Sequence, residues 1–326
     1  MGRKPFDLHT WLVVMMDVLW REPKLILKYY HQPMPRSSAW RGRNVLMVDS
    51  RVEHGGMFDC LKGIITIYAI SKTMGKDFRI HFVSPFRLED YLVPNRYDWT
   101  IGDNELCYSF PQARPVMAYG ELSNPRRLWK KRKGETHFYY GYNSLDLVND
   151  HFDTHYEWSE LYDELFKPTE ELQSHIDYYK KDVGDDYIVA HFRFLNLLGD
   201  KMEKASLNPT LPEQDQKALM ERALAQLRRI TEAHCDMRLM LASDSSNFIN
   251  YVRKEIPSVY TIPGTIKHVG TAKSASSAEI IKMFLDYYII GGARKVYSLW
   301  TPGMWKSAFP EYAALIGGTD FERIEF

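Results

Sequence analysis

Apolar residues along this chain fall into two rhythms. Short, nearly unbroken apolar runs bounded by Gly, Pro, Asn or Asp predict buried strands over 44–48, 78–83, 136–142, 187–194, 238–242, 259–262 and 295–299. Between them, apolar residues recur with the helical period. Leu61, Ile64, Ile65, Tyr68 and Ala69 put one apolar face on a helix from about Phe58 to Met74, and Gly75 supplies a stop. Further helices are predicted over 158–166, 170–179, 212–234, up to Tyr251, over 277–290 and over 305–316. In the long helix over 212–234, Leu219, Ala223, Leu227 and Ile230 form the buried side. Strands alternating with helices at this spacing predict an α/β fold with parallel sheets. The polar stretch Asp182-Val-Gly-Asp-Asp186 offers a boundary, giving domains over 1–182 and 183–326.

Length and charge narrow the class. At 326 residues the chain can hold two domains of ordinary size. Its 42 basic and 42 acidic side chains cancel, which argues against nucleic acid as a partner. Cys60, Cys107 and Cys235 are widely separated and form no CxxC pair, as expected for free thiols in a reducing, cytoplasmic setting.

Two segments stay open. The apolar run Trp11–Trp20 is only ten residues long and contains Asp17, whereas a spanning helix needs about 20 apolar residues. It reads either as an amphipathic helix packed on the body or, with Arg21, Lys24 and Lys28, as a peripheral membrane contact through residues 11–30. The run Arg126-Arg-Leu-Trp-Lys-Lys-Arg-Lys133 holds six cations in eight residues. It reads as a solvated loop, or as a site for an acidic acceptor or anionic lipid headgroups.

Many common sites are excluded by sequence. There is no P-loop, no GxGxxG turn, no HExxH, no GxSxG elbow, no zinc-type Cys/His spacing and no Asp-x-Asp pair. What remains are polar residues at the predicted strand ends of the second half. His191 and Arg193 close the first strand, Ser243-Asp244-Ser245-Ser246 follows the second, and Ser298–Gly303 leads into Lys306-Ser307-Ala-Phe309. In a parallel sheet these ends share one rim, where ligands of open α/β folds bind. A guanidinium, a carboxylate, hydroxyls and helix N–H groups together suit a nucleoside diphosphate. Each residue also has a structural reading. Asp244, Ser245 and Ser307 are ordinary helix caps in it, His191 a core histidine, and Arg193 one arm of a salt bridge.

Five segments in order carry a family resemblance: Gly55-Gly-Met-Phe-Asp-Cys-Leu-Lys-Gly-Ile64, Ser84-Pro-Phe-Arg-Leu-Glu-Asp-Tyr-Leu-Val-Pro-Asn95, His191-Phe-Arg193, Ala242-Ser-Asp244, and Trp305-Lys-Ser-Ala-Phe-Pro-Glu-Tyr-Ala-Ala314. Over residues 44–316 the chain resembles the fucosyltransferase superfamily, which includes the α1,2-, α1,6- and protein O-fucosyltransferases and the nodulation fucosyltransferase. The resemblance implies the GT-B arrangement, two Rossmann-like domains with parallel sheets facing a cleft. It implies inverting, metal-independent transfer of fucose from GDP-fucose to a glycan hydroxyl, with no further cofactor. Arg193 then matches the arginine on the donor diphosphate, His191 its companion, and Asp244 the acid on guanine or ribose. Ser307 and Phe309 match residues near the phosphates and sugar, and Gly55 and Gly56 the turn approaching the donor. Asn196 stands where many relatives carry an acid, Pro310 where a second serine is common, and Phe58 and Cys60 flank Asp59. For the catalytic base Asp200 is preferred over Glu203 and Asp59, and Tyr139-Tyr140-Gly-Tyr142 is an aromatic candidate for stacking on sugar rings. Two other readings remain: transfer from another nucleotide sugar, and a non-catalytic sugar- or nucleotide-binding protein of the same fold.

Overall fold

A computed structural model describes residues 8–33, 42–118, 127–139, 141–200, 209–264 and 276–326, with side chains from Leu12 onward. The chain divides into two units, Met1–Lys167 and Pro168–Phe326. The sequence expectation set the division one helix later, at Asp182–Asp186.

The first unit opens with helix α1 (Leu8–Met16), a π-helical turn (Asp17–Arg21) and helix α2 (Glu22–Tyr29). Then come β1 (Asn44–Val48), α3 (Met57–Thr73), β2 (Phe78–Phe82), β3 (Leu92–Pro94), β4 (Ala113–Met117), β5 (Glu135–Tyr139), α4 (Leu145–Phe152), α5 (Trp158–Leu165) and β6 (Phe166–Pro168). Its main sheet runs β2-β1-β5-β4, all parallel, and β3 pairs with β6 apart from it. Helix α3 is buried along almost its whole length. A Cβ on its Gly63 would stand 2.6 Å from the backbone of Gly141, so only glycine permits this approach. Strand β4 was not expected, because Pro115 sits in its middle. It is an edge strand, where a missing N–H is tolerated.

Polar groups run through this core. Glu135 is fully buried and pairs with Arg43. It also accepts from the backbone N–H of Cys107 at 2.9 Å and lies 2.6 Å from Nε2 of His137. Nδ1 of His137 lies 2.7 Å from the Tyr30 hydroxyl. Burial pushes the pKa of His137 down. The neutral ring with its hydrogen on Nε2 donates to Glu135 and accepts from Tyr30, so one tautomer satisfies both contacts.

The second unit contains α6 (Glu170–Val183), β7 (Tyr187–Phe192), α7 (Glu213–Ala233), β8 (Arg238–Ser243), α8 (Ser246–Glu255), α9 (Ser277–Gly291), β9 (Lys295–Trp300), α10 (Phe309–Gly317) and β10 (Asp320–Glu325). Its sheet runs β10-β9-β7-β8, again all parallel. Helix α6 packs against α9, which is why it belongs to this unit. The core gathers Ile188, Phe192, Phe194, Leu227, Phe248 and Leu299 from sheet and helices. The strand expected over 259–262 is reduced to one bridge, in which Tyr260 exchanges backbone hydrogen bonds with Leu239 and Leu241. The α/β architecture with parallel sheets is as the sequence predicts.

Candidate active site

Strands β7, β8 and β9 end together. His191 lies opposite Ala242 and Ser298, and Phe192 opposite Ser243 and Leu299. Arg193, Asp244 and Thr301 are therefore the first residues beyond one rim. These strands are buried throughout their middles, so the chain turns polar only where it leaves the sheet. The Arg193 carbonyl accepts from Trp305 N–H at 3.1 Å, which draws the loop after β9 onto the loop after β7.

His191 is buried, and its ring is 5.7 Å from that of Phe309 at the start of α10. Phe309 in turn lies 5.8 Å from Tyr287 of α9. Burial, and then the charge of half-buried Arg193, push the His191 pKa down to about 3. The ring is neutral at physiological pH. Sequence reasoning missed Tyr287. On α9 it reads as one more residue of a buried helical face.

The acids at this rim are committed to the chain itself. Asp244 accepts from Phe194 N–H at 2.8 Å through one oxygen and from Leu195 N–H at 3.0 Å through the other. Leu195 has φ of +55°, a left-handed conformation that costs a branched side chain, and Asp244 helps to hold it. Asp244 therefore positions the turn that carries Arg193. Asp200 accepts from the Ser245 hydroxyl at 2.9 Å and from Asn247 N–H at 2.8 Å. Ser245 accepts from Phe248 N–H at 3.1 Å. Two leading N–H groups of α8, those of Asn247 and Phe248, are thus capped within the chain. At α10, Ser307 accepts from Phe309 N–H at 3.2 Å, and Pro310 has no N–H to offer. Of the helix N–H groups expected to meet a phosphate, those of Asn247, Phe248 and Phe309 are bonded within the chain.

The structure brings His191, Arg193, Asp244, Ser307 and Phe309 to this rim, with Asp200 beside α8. Gly55 and Gly56 belong to the first unit, between β1 and α3. The Gly56 carbonyl accepts from Asp59 N–H at 2.9 Å and Cys60 N–H at 3.1 Å, opening the helix. A Cβ on Gly55 would stand 2.7 Å from an Asp59 carboxylate oxygen, so this turn needs glycine. Asp59 pairs with Lys62 at 3.0 Å, and Lys62 lies 4.7 Å from the ring of Tyr142. Tyr139 is 1% exposed and turned into the core beside Tyr30, so it offers no face to a sugar. Glu203, Tyr140 and Arg126 lie outside the described residues. Cys60, Cys107 and Cys235 are free thiols. Among the described residues no three His, Cys, Asp or Glu side chains gather into a metal-binding group.

No protein-family model matches the chain, and no curated protein matches it by sequence. Solved structures do match. The α-1,6-fucosyltransferase NodZ soaked with GDP-fucose is 16% identical, with 84% of this chain and 92% of that one covered and a TM-score of 0.54. NodZ from Bradyrhizobium gives 17% identity and a TM-score of 0.53, with the same 84% and 92% covered. A mutant of Arabidopsis thaliana FUT1 in complex with GDP is 9% identical, with 99% of this chain and 80% of that one covered and a TM-score of 0.55. The chain shares its fold, two Rossmann-like units of the GT-B kind, with these fucosyltransferases.

Proposed function

We propose that the chain is a glycosyltransferase that moves fucose from GDP-fucose to a glycan hydroxyl, inverting the anomeric carbon without a metal ion. The observation that carries this reading is the place of Arg193. It follows β7 at the carboxyl rim of the second sheet, beside the His191–Phe309 ring pair and the start of α10. The fold likeness supports the reading, since NodZ was soaked with GDP-fucose and FUT1 was solved with GDP.

In this reaction the acceptor oxygen attacks the anomeric carbon from the face opposite GDP. The new C–O bond forms as the bond to the diphosphate oxygen breaks, the electron pair stays on GDP, and the proton of the acceptor hydroxyl is released to water. The negative charge growing on the diphosphate needs a fixed cation. Arg193 supplies it, and its planar fork can pair two oxygens at once. Its share is larger because the N–H groups of Asn247, Phe248 and Phe309 are already bonded. Ser307 keeps a hydroxyl hydrogen to donate.

A thermal-shift screen of nucleotide sugars is the first test. GDP-fucose at about 100 times its Kd should stabilise the native chain by about 2.7 kcal/mol. Turnover should persist in EDTA, with the product anomer inverted by NMR. Arg193→Ala should lower the rate by about 10²–10³-fold, and Arg193→Lys should not restore it. Stabilisation by uridine but not guanosine sugars would replace the donor. GDP binding without transfer to any glycan of a broad array would make the chain a binding protein. Near-normal turnover of Arg193→Ala would remove Arg193 from the reaction.

A further inference from the structure

The N-terminal helices present an apolar face to solvent. Helix α1, the π-helical turn and α2 follow without a break from Leu8 to Tyr29, a rod about 33 Å long at ~1.5 Å per residue. Asp17, Glu22 and Leu25 face inward, and Leu25 joins the core with Val45, Met47 and Met117. The other side carries Leu12, Met16, Leu19, Trp20 and Leu27, at the spacing of one helix face. Trp20 is 68% exposed and Leu27 82%. A strip of five large apolar side chains in water costs the free chain solubility unless something covers it.

The charges beside the strip say what fits. Both acids of this segment, Asp17 and Glu22, are buried. Asp17 is met by Arg21 at 2.9 Å, and Glu22 by Arg127 through both oxygens at 2.7 and 2.6 Å. The exposed charges between Leu12 and Tyr29 are all cationic: Arg21, Lys24 and Lys28. The Glu22–Arg127 pair also ties α2 to the start of the basic run, whose Lys130, Lys131 and Lys133 are exposed. The two segments that the sequence left open are thus linked by one ion pair. An exposed apolar strip containing Trp, edged by lysines and cleared of exposed acid, has the chemistry of a helix lying in a membrane interface. Among the described residues no helix is long and apolar enough to cross a membrane. A second copy packed on the same strip would bring these lysines toward their own kind.

We propose that this face docks onto an anionic lipid surface, with Leu12, Met16, Leu19, Trp20 and Leu27 entering the headgroup boundary and Arg21, Lys24 and Lys28 contacting lipid phosphates. The surface does not depend on the transferase reading, so either can fail alone.

The full chain is sedimented with vesicles of phosphatidylcholine alone or mixed with phosphatidylserine. Binding should require phosphatidylserine and weaken with salt. Leu19→Ser/Trp20→Ser/Leu27→Ser should lose at least tenfold in partitioning. Lys24→Gln/Lys28→Gln should lose roughly fivefold per charge removed. All five positions are exposed, so thermal melting of each variant should match the parent. Failure of the parent chain to bind phosphatidylserine vesicles overturns the proposal. So does binding that the serine variant leaves unchanged. A dimer in light scattering that the serine variant dissolves would assign the face to a second copy instead.

Discussion

Each unit is built on its own four-stranded parallel sheet, and the two differ in what the carboxylate nearest the strand-end arginine does for the backbone. After β1, Arg51 donates to Asp49 at 2.7 Å and lies 4.3 Å from the Tyr108 ring and 5.1 Å from that of Tyr29. That group of residues is complete in itself. After β7, the acid of the neighbouring strand end, Asp244, turns to the backbone N–H groups of residues 194 and 195. The carboxylate there shapes the loop that carries Arg193. An arginine at a strand end is thus a weak sign of an anion site by itself. What matters is the task of the nearest carboxylate, and only the folded chain sets that.

The sharpest way to break this contrast is to disturb each unit at its own polar centre. Glu135→Ala would strand Arg43, the Cys107 N–H and His137 inside the first unit. Removing one arm of a buried ion pair costs about 3–5 kcal/mol, so urea denaturation should shift by that much. Arg193→Ala should act chiefly on turnover and shift the urea midpoint less than Glu135→Ala does. If the Arg193 variant unfolded as readily as the Glu135 variant, the second rim would be structural like the first.

Legibility in the sequence followed burial. Strands β1, β7 and β9 and helices α3 and α9 are buried on most sides, so apolar runs announced them. Strand β10 was missed because its residues alternate between exposed and half-buried at the sheet edge, leaving no apolar run. The last helix begins at Phe309, four residues later than expected, with Ser307 capping its first N–H and Pro310 in its first turn. Within the candidate site, the place of His191 and Arg193 was legible because the apolar run of β7 turns polar at its end. The capping of Asp200 was not, since its partners Ser245 and Asn247 lie 45 and 47 residues away. Glu135 and His137 alternate on one face of a strand, a pattern sequence alone cannot separate from a half-exposed edge.

Two buried histidines extend the contrast to pH. His137 and His191 both have pKa values pushed below the ordinary range by burial. For His191 the native value is about 3, whereas the unfolded chain titrates near 6.5. Below pH 6.5 the unfolded state gains a proton that the native state refuses, so stability falls as pH falls, down to about pH 3. Between pH 6.5 and 5 this amounts to about 2 kcal/mol. His191→Phe should flatten that part of the stability profile by about this amount, leaving the same-signed contribution of His137. An unaltered slope would mean that the second rim admits a charged imidazole, unlike the first core.

The smallest expected effect decides the role of Asp200. Its carboxylate accepts from Ser245 and Asn247 at the beginning of α8, where the helix dipole favours negative charge. A group held that way is a helix cap, and a proton acceptor in catalysis would have to surrender those bonds at each turnover. Asp200→Asn keeps one acceptor oxygen and loses the charge, so stability should fall by roughly 1 kcal/mol. The pH dependence of kcat/KM should retain both its limbs, because the group removed is not the one whose ionisation limits the rate. Loss of the acidic limb, with little change in stability, would make Asp200 the base. It would also extend the reacting part of the second rim from Arg193 to the start of α8.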